Sequence, residues 1–128
     1  MDQPRESLAR FERAVLISPQ PDVRSAALQA LGSRLELFQC RDPNAYPLSD
    51  AMLGQRPDLC LIDVGSHIEQ ALALVRDASE ANIPVIALNA TADSDLILRS
   101  LRCGAVEFFS LPIESPPLFE ALQRISRK

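Results

Sequence analysis

The sequence predicts an α/β fold, a parallel sheet held between two layers of helices, and three observations lead there. Five short apolar runs alternate with segments of helical periodicity along the chain. The first, third and fourth runs are apolar nearly throughout, which is the pattern of central parallel strands covered on both faces. The length, 128 residues, is that of one domain, large enough to bury an ordinary core without disulfide or metal.

The predicted strands are Ala14–Ser18, Leu35–Gln39, Leu59–Asp63, Val85–Asn89 and Val106–Ser110. The second alternates apolar and polar residues, as an edge strand does. Asp22 is the expected N-cap of a first helix that carries Val23, Ala26, Ala27, Ala30 and Leu31 on one stripe and ends at Gly32. A shorter helix is expected over Leu48–Gly54, with Pro47 just before it. Ile68, Ala71, Leu72, Val75 and Ala78 stripe a third helix. Asp93 or Ser94 caps a fourth, in which Leu96, Ile97, Leu98 and Leu101 exceed a single core stripe. Ser115 caps the last, with Pro116 and Pro117 in its first turn and Leu118, Leu122 and Ile125 facing the core. Alternating strands and helices imply right-handed crossovers. The expected architecture is a flavodoxin-like (βα)5 three-layer sandwich, five parallel strands in the order 2-1-3-4-5, with its crevice at the C-terminal tips of strands 1 and 3. Residues 1–12 are polar and charged and read as a flexible leader, which leaves 13–128 as the folded domain.

Composition excludes several functions. A net charge of −4 argues against non-specific nucleic-acid binding, which needs a basic face. There is no run of about 18 apolar residues and no apolar signal core near Met1, so no membrane association and a cytoplasmic location are expected. Cys40, Cys60 and Cys103 are widely spaced and form no CxxC or Cys/His pattern, as expected of reduced thiols. Phosphate-cradling loops, zinc-protease helices and nucleophile elbows are all missing.

Asp63 is the one carboxylate at a predicted strand tip. The neighbouring tips are Ser18-Pro19-Gln20-Pro21, Asn89-Ala90-Thr91 and Ser110-Leu111-Pro112. Mg²⁺ wants several oxygen ligands, commonly more than one carboxylate, and a transferred phosphoryl group wants a cation. Neither is placed at these tips, so no catalysis and no cofactor are expected. His67 reads as a solvated loop residue.

Four fragments in order, AVLISPQPDVRSAALQAL, PDLCLIDVG, IPVIALNA and GAVEFFSLPI, resemble the receiver (CheY-like) domain of two-component response regulators over about residues 13–127. The resemblance implies that Asp63 stands at the phospho-acceptor position. Ser18 and Pro19 stand where the family holds its Mg²⁺-binding acidic pair, Asn89 where it has the switch Ser/Thr, and Leu111 where it has the lysine. Phe108 takes the aromatic switch position, and Pro112 the proline that follows the lysine. One of the five chemical positions is kept, the profile of a pseudo-receiver. The stretch DSDLILRSLRCGAVEFFSLPIESPPLFEAL is similar to the atypical receiver of TadZ/CpaE-type pilus-assembly proteins, where a MinD/ParA-like ATPase follows. That implies a signalling and protein-interaction module acting through a partner or homodimer, with a C-terminal ATPase in the full-length protein. The expected contact is the face of helix 4, strand 5 and helix 5, with Leu96, Leu98 and Phe109 as interface residues. Two other readings stand beside it: a genuine phospho-acceptor receiver using Mg²⁺ and Asp63, and a flavodoxin-like small-ligand binder.

Overall fold

The computed structural model describes residues 11, 13–32, 36–40 and 57–126, with 36–40 as strand backbone. The elements are β1 (Arg13–Ile17), α1 (Pro21–Leu31), β2 (Glu36–Cys40), β3 (Leu59–Asp63), α2 (Ile68–Glu80), β4 (Val85–Asn89), α3 (Ser94–Cys103), β5 (Glu107–Ser110) and α4 (Ser115–Ser126). The strands pair in the order β2-β1-β3-β4-β5, all parallel. The short helix expected over Leu48–Gly54 lies outside the described residues, as does the leader apart from Phe11.

Strict alternation along the three central strands divides the core in two. Ala14, Leu16, Leu59, Leu61, Ile86 and Leu88 point to one side, where Val23, Ala27 and Leu31 of α1 and Leu118 and Leu122 of α4 cover them. Val15, Ile17, Cys60, Ile62, Val85 and Ala87 point to the other, under Ala71, Leu72, Val75 and Ala78 of α2 and Leu96 of α3. This two-sided cover is the physical reason those strands are continuously apolar. Phe11 corrects the leader boundary: it is buried in the first of these clusters. Burial pushes the Cys60 thiol up to about 12, so it is a neutral core residue.

The helix ends differ from expectation in two places. Asp22 lies inside the first turn of α1, and Gln20 is the N-cap, because Pro21 fits the first helical position, where no N–H is required. Ser115 is the first residue of α4, and its hydroxyl donates to the Ala30 carbonyl at 2.8 Å, tying α4 to the end of α1. Asp93 caps α3, accepting from the Asp95 and Leu96 amides at 3.0 and 3.3 Å. Gly104 closes α3 in the left-handed region, φ 118°, with the Ser79 side chain where a Cβ would stand.

Candidate functional site

Parallel register builds the crevice. Ile17 pairs with Ile62, so the next residues on the two strands, Ser18 and Asp63, lie side by side at the C-terminal tips. Both are buried, Ser18 fully and Asp63 at 2% exposure. The Ser18 hydroxyl donates to Asp63 Oδ2 at 2.7 Å, and the Gly65 amide donates to Oδ1 at 2.9 Å. Each carboxylate oxygen thus has a donor within the protein, which is how a buried acid avoids the cost of an unpaired one. The Ser18 oxygen also accepts from the Gln20 amide at 3.1 Å, which holds the turn leading into α1.

Further bonds close the rim. Gln20 Nε2 donates to Ser66 Oγ at 2.9 Å, joining the loop after β1 to the loop after β3. Asn89 at the end of β4 donates to the Thr91 carbonyl at 2.8 Å, and its amide group fills the space where a Cβ on Gly65 would stand. Gly65 is therefore needed for this close approach.

No Lys or Arg stands at these tips, but one reaches the backbone just past β1 from the neighbouring helix. Arg24, one turn into α1, donates to the Ser18 carbonyl at 2.9 Å. A long side chain in the first turn of a helix leans toward the N-terminus, and this is legible in the spacing of Arg24 from Pro21. The other expected site residues diverge. Leu111 packs against the core cluster under α1 and α4, and Phe108 against the cluster under α2 and α3. The Leu111–Pro112 peptide is cis. Pro19 is half-buried and offers no side-chain ligand, and His67 is exposed at the N-cap of α2.

The residues present do not fit a Mg²⁺ site. Asp63 is the one carboxylate at the described strand tips, both its oxygens are engaged, and Ser18 contributes a neutral hydroxyl that already donates to it. Among the described residues no group of three or more His, Cys, Asp or Glu side chains is placed to hold a metal ion.

The three residues expected at an interface are not equally exposed. Leu96 is buried, 5% exposed, in the core under α2 and α3. Phe109 is half-buried and packs against the other cluster. Leu98 is exposed, and with it Leu101 one turn on and Val106 just before β5. Three consecutive apolar residues on one helix cannot all face the sheet, and the core takes Leu96. Val106 reads in the sequence as a strand residue, with nothing to mark it as exposed.

No protein-family model matches the chain. It is 28% identical over 115 residues to the transcriptional regulatory protein CseB of Streptomyces avermitilis, a match that covers 89% of this chain. The chain spans about half the length of that curated relative, 49%. Among solved structures it is similar to a response regulator from Thermotoga maritima, with a TM-score of 0.74 and 23% identity over 92% of this chain and 99% of that one. It is also similar to a protein of Burkholderia pseudomallei named as pilus assembly-related, with a TM-score of 0.75 and 17% identity over 92% and 91% of the two chains. Among the described residues no helix is long and apolar enough to cross a membrane. The parallel sheet, its two helical layers and these likenesses give the chain the fold of response-regulator receiver domains.

Proposed function

We propose that this chain is a receiver-fold signalling and protein-interaction module that does not use Mg²⁺-dependent aspartyl phosphorylation. The observation that carries the reading is the Ser18–Asp63 hydrogen bond, 2.7 Å between two buried side chains. A phospho-acceptor must present a free carboxylate oxygen to the incoming phosphoryl group beside a metal that neutralises it. Here Ser18 and Gly65 donate to the two carboxylate oxygens, no second carboxylate stands at the described strand tips, and Leu111, packed against the core, supplies no cation. The module is non-catalytic, cytoplasmic and without cofactor on this reading. The resemblance of the DSDLILRSLRCGAVEFFSLPIESPPLFEAL stretch to TadZ/CpaE-type receivers carries the further proposal of a pilus-assembly setting with an ATPase domain in the full-length protein, and the Burkholderia protein named as pilus assembly-related shares the fold. Residues 13–128 form the receiver-like unit, and Phe11 belongs with its core.

Function then moves to a protein-binding face. Leu98, Leu101 and Val106 expose 43–47% of their surface, the first two on α3 and the third just before β5. A second copy or a partner protein that covers them would remove that apolar area from water. The test is light scattering over a concentration series, with Leu98→Asp and Leu101→Asp, alone and combined. These exposed positions tolerate the change, so folding by circular dichroism should be unaltered and association lost. Association that survives the double variant would refute this face.

A second reading is favoured by one observation. Asp63 is at the β3 tip, beside Ser18 in the crevice, and the similarity to CseB concerns a transcriptional regulatory protein. A phosphorylated Asp63 would require Ser18 to rotate away from it.

A further inference from the structure

The chain carries a net charge of −4, yet three guanidinium groups gather at one groove between α2 and α3. Arg99 and Arg102 are three residues apart on α3, and Arg76 faces them from α2. The groove is open, has a volume of about 210 Å³, and also holds Glu69 and Cys103. Glu69 Oε2 lies 2.8 Å from an Arg99 amino group, and its side chain is 79% exposed. That hydrogen bond holds the Arg99 guanidinium above its ordinary value. Among the described residues neither Arg76 nor Arg102 is paired with a carboxylate. Arg76 donates to Cys103 Sγ at 3.5 Å, and a thiol sulfur is a weak acceptor.

We infer that this groove is a recognition site for the carboxylates of an acidic protein segment, distinct from the crevice at Asp63 and not dependent on the apolar face being an interface. Glu69 shows that the groove already seats a carboxylate against Arg99, through a solvent-exposed pair of the kind that yields readily to competition. Arginine forks match carboxylates in two-point geometry, and Arg76 and Arg102 are the groups with that capacity unused. The volume lies below the roughly 300–1,000 Å³ of pockets that enclose a small molecule, so a nucleotide is not the fit. Leu98 lies one turn from Arg102 on α3 and is exposed, so a segment seated on the groove meets an apolar side chain beside a cation. That neighbour suits a polypeptide better than an inorganic anion.

The probe is fluorescein-labelled hexaglutamate, read by anisotropy against the intact chain at low ionic strength, with hexaglutamine and pyrophosphate as separate arms. Saturable binding of hexaglutamate is expected. Arg76→Gln with Arg102→Gln should loosen it by at least about tenfold, a loss of roughly 1.4 kcal/mol, and Glu69→Gln should tighten it by removing the internal competitor. Cys103 is a built-in reporter, half-buried in the groove, so bound peptide should slow its alkylation by iodoacetamide, followed at that residue by mass spectrometry. Three results would overturn the inference: no saturable hexaglutamate binding, equal binding by hexaglutamine, or affinity unchanged in the double arginine variant. Pyrophosphate binding without hexaglutamate binding also overturns it and gives the groove to a phosphoryl ligand. Leu101→Asp alone, which leaves Leu98 in place beside the groove and is scored for association as above, separates failure here from failure of the apolar face.

Discussion

Replacing Ser18 by alanine removes a single oxygen from the protein, and the structure says what that oxygen does. It is fully buried, donates to Asp63 at 2.7 Å and accepts from the Gln20 amide at 3.1 Å. After the change Asp63, 2% exposed, keeps one donor, the Gly65 amide. A hydrogen bond to a charged group contributes about 1.5–3 kcal/mol, and the partner left behind cannot reach bulk water. The partly buried Gln20 amide adds little. A loss of about 2 kcal/mol is therefore expected. Unfolding entropy of about 2.1 cal/mol/K per residue gives roughly 270 cal/mol/K for a chain this long, so Tm should fall by about 7 °C. Urea denaturation should show a lower midpoint with an unchanged m-value, since the same surface is exposed on unfolding. A double-mutant cycle with Asp63→Asn should return a coupling of about 1 kcal/mol or more between the two side chains. A destabilisation under about 0.5 kcal/mol would refute the reasoning, because a change that small is typical of an exposed position away from any such bond.

Cys60 makes the stability depend on alkaline pH. Its folded value is about 12 against an ordinary 9.0, so the unfolded chain releases the proton first. The stabilisation is complete below about pH 9 and is lost as pH rises toward 12, at about 1.4 kcal/mol per pH unit. At about pH 10.5 the wild type should have lost roughly 2 kcal/mol more than Cys60→Ala, each relative to its own value at about pH 8; parallel curves for the two proteins would contradict this. Gly65→Ala should cost about 1–2 kcal/mol in chemical denaturation by driving the Asn89 amide off the Thr91 carbonyl. In an Asn89→Ala background the same change should cost less than about 0.5 kcal/mol, and an undiminished cost would show that the clash is not with Asn89.

The strands were legible because a sheet covered on both faces needs uninterrupted apolar runs. β3 and β4 have the bounds that the sequence implies, and β1 differs by one residue at each end. The stripes of α1 and α2 were legible for a related reason, since their buried residues recur at the helical period. Polar side chains were harder to place because their partners are set by tertiary distance. Ser115 reads as a local cap, yet its hydroxyl serves a carbonyl 85 positions away in sequence. Ser18 stands, by resemblance, at a metal-binding position, and its hydroxyl donates to Asp63, a partner the sequence does not show. The cluster Leu96-Ile97-Leu98 shows that one residue must face outward but not which, and the answer depends on how α3 leans against α2. The arginine groove has the same origin: Arg99 and Arg102 share a helix face in any reading, but Arg76 joins them only once two helices pack.

Phosphoryl transfer to Asp63 tests the central claim most directly. The wild type and Asp63→Asn would each be incubated with acetyl phosphate and Mg²⁺ and weighed intact by mass spectrometry. With Ser18 donating to Asp63 and no second carboxylate at the described tips, neither protein should gain a phosphoryl group. A phosphoryl adduct on the wild type that is missing from Asp63→Asn would contradict the account and make this crevice a working phospho-acceptor site.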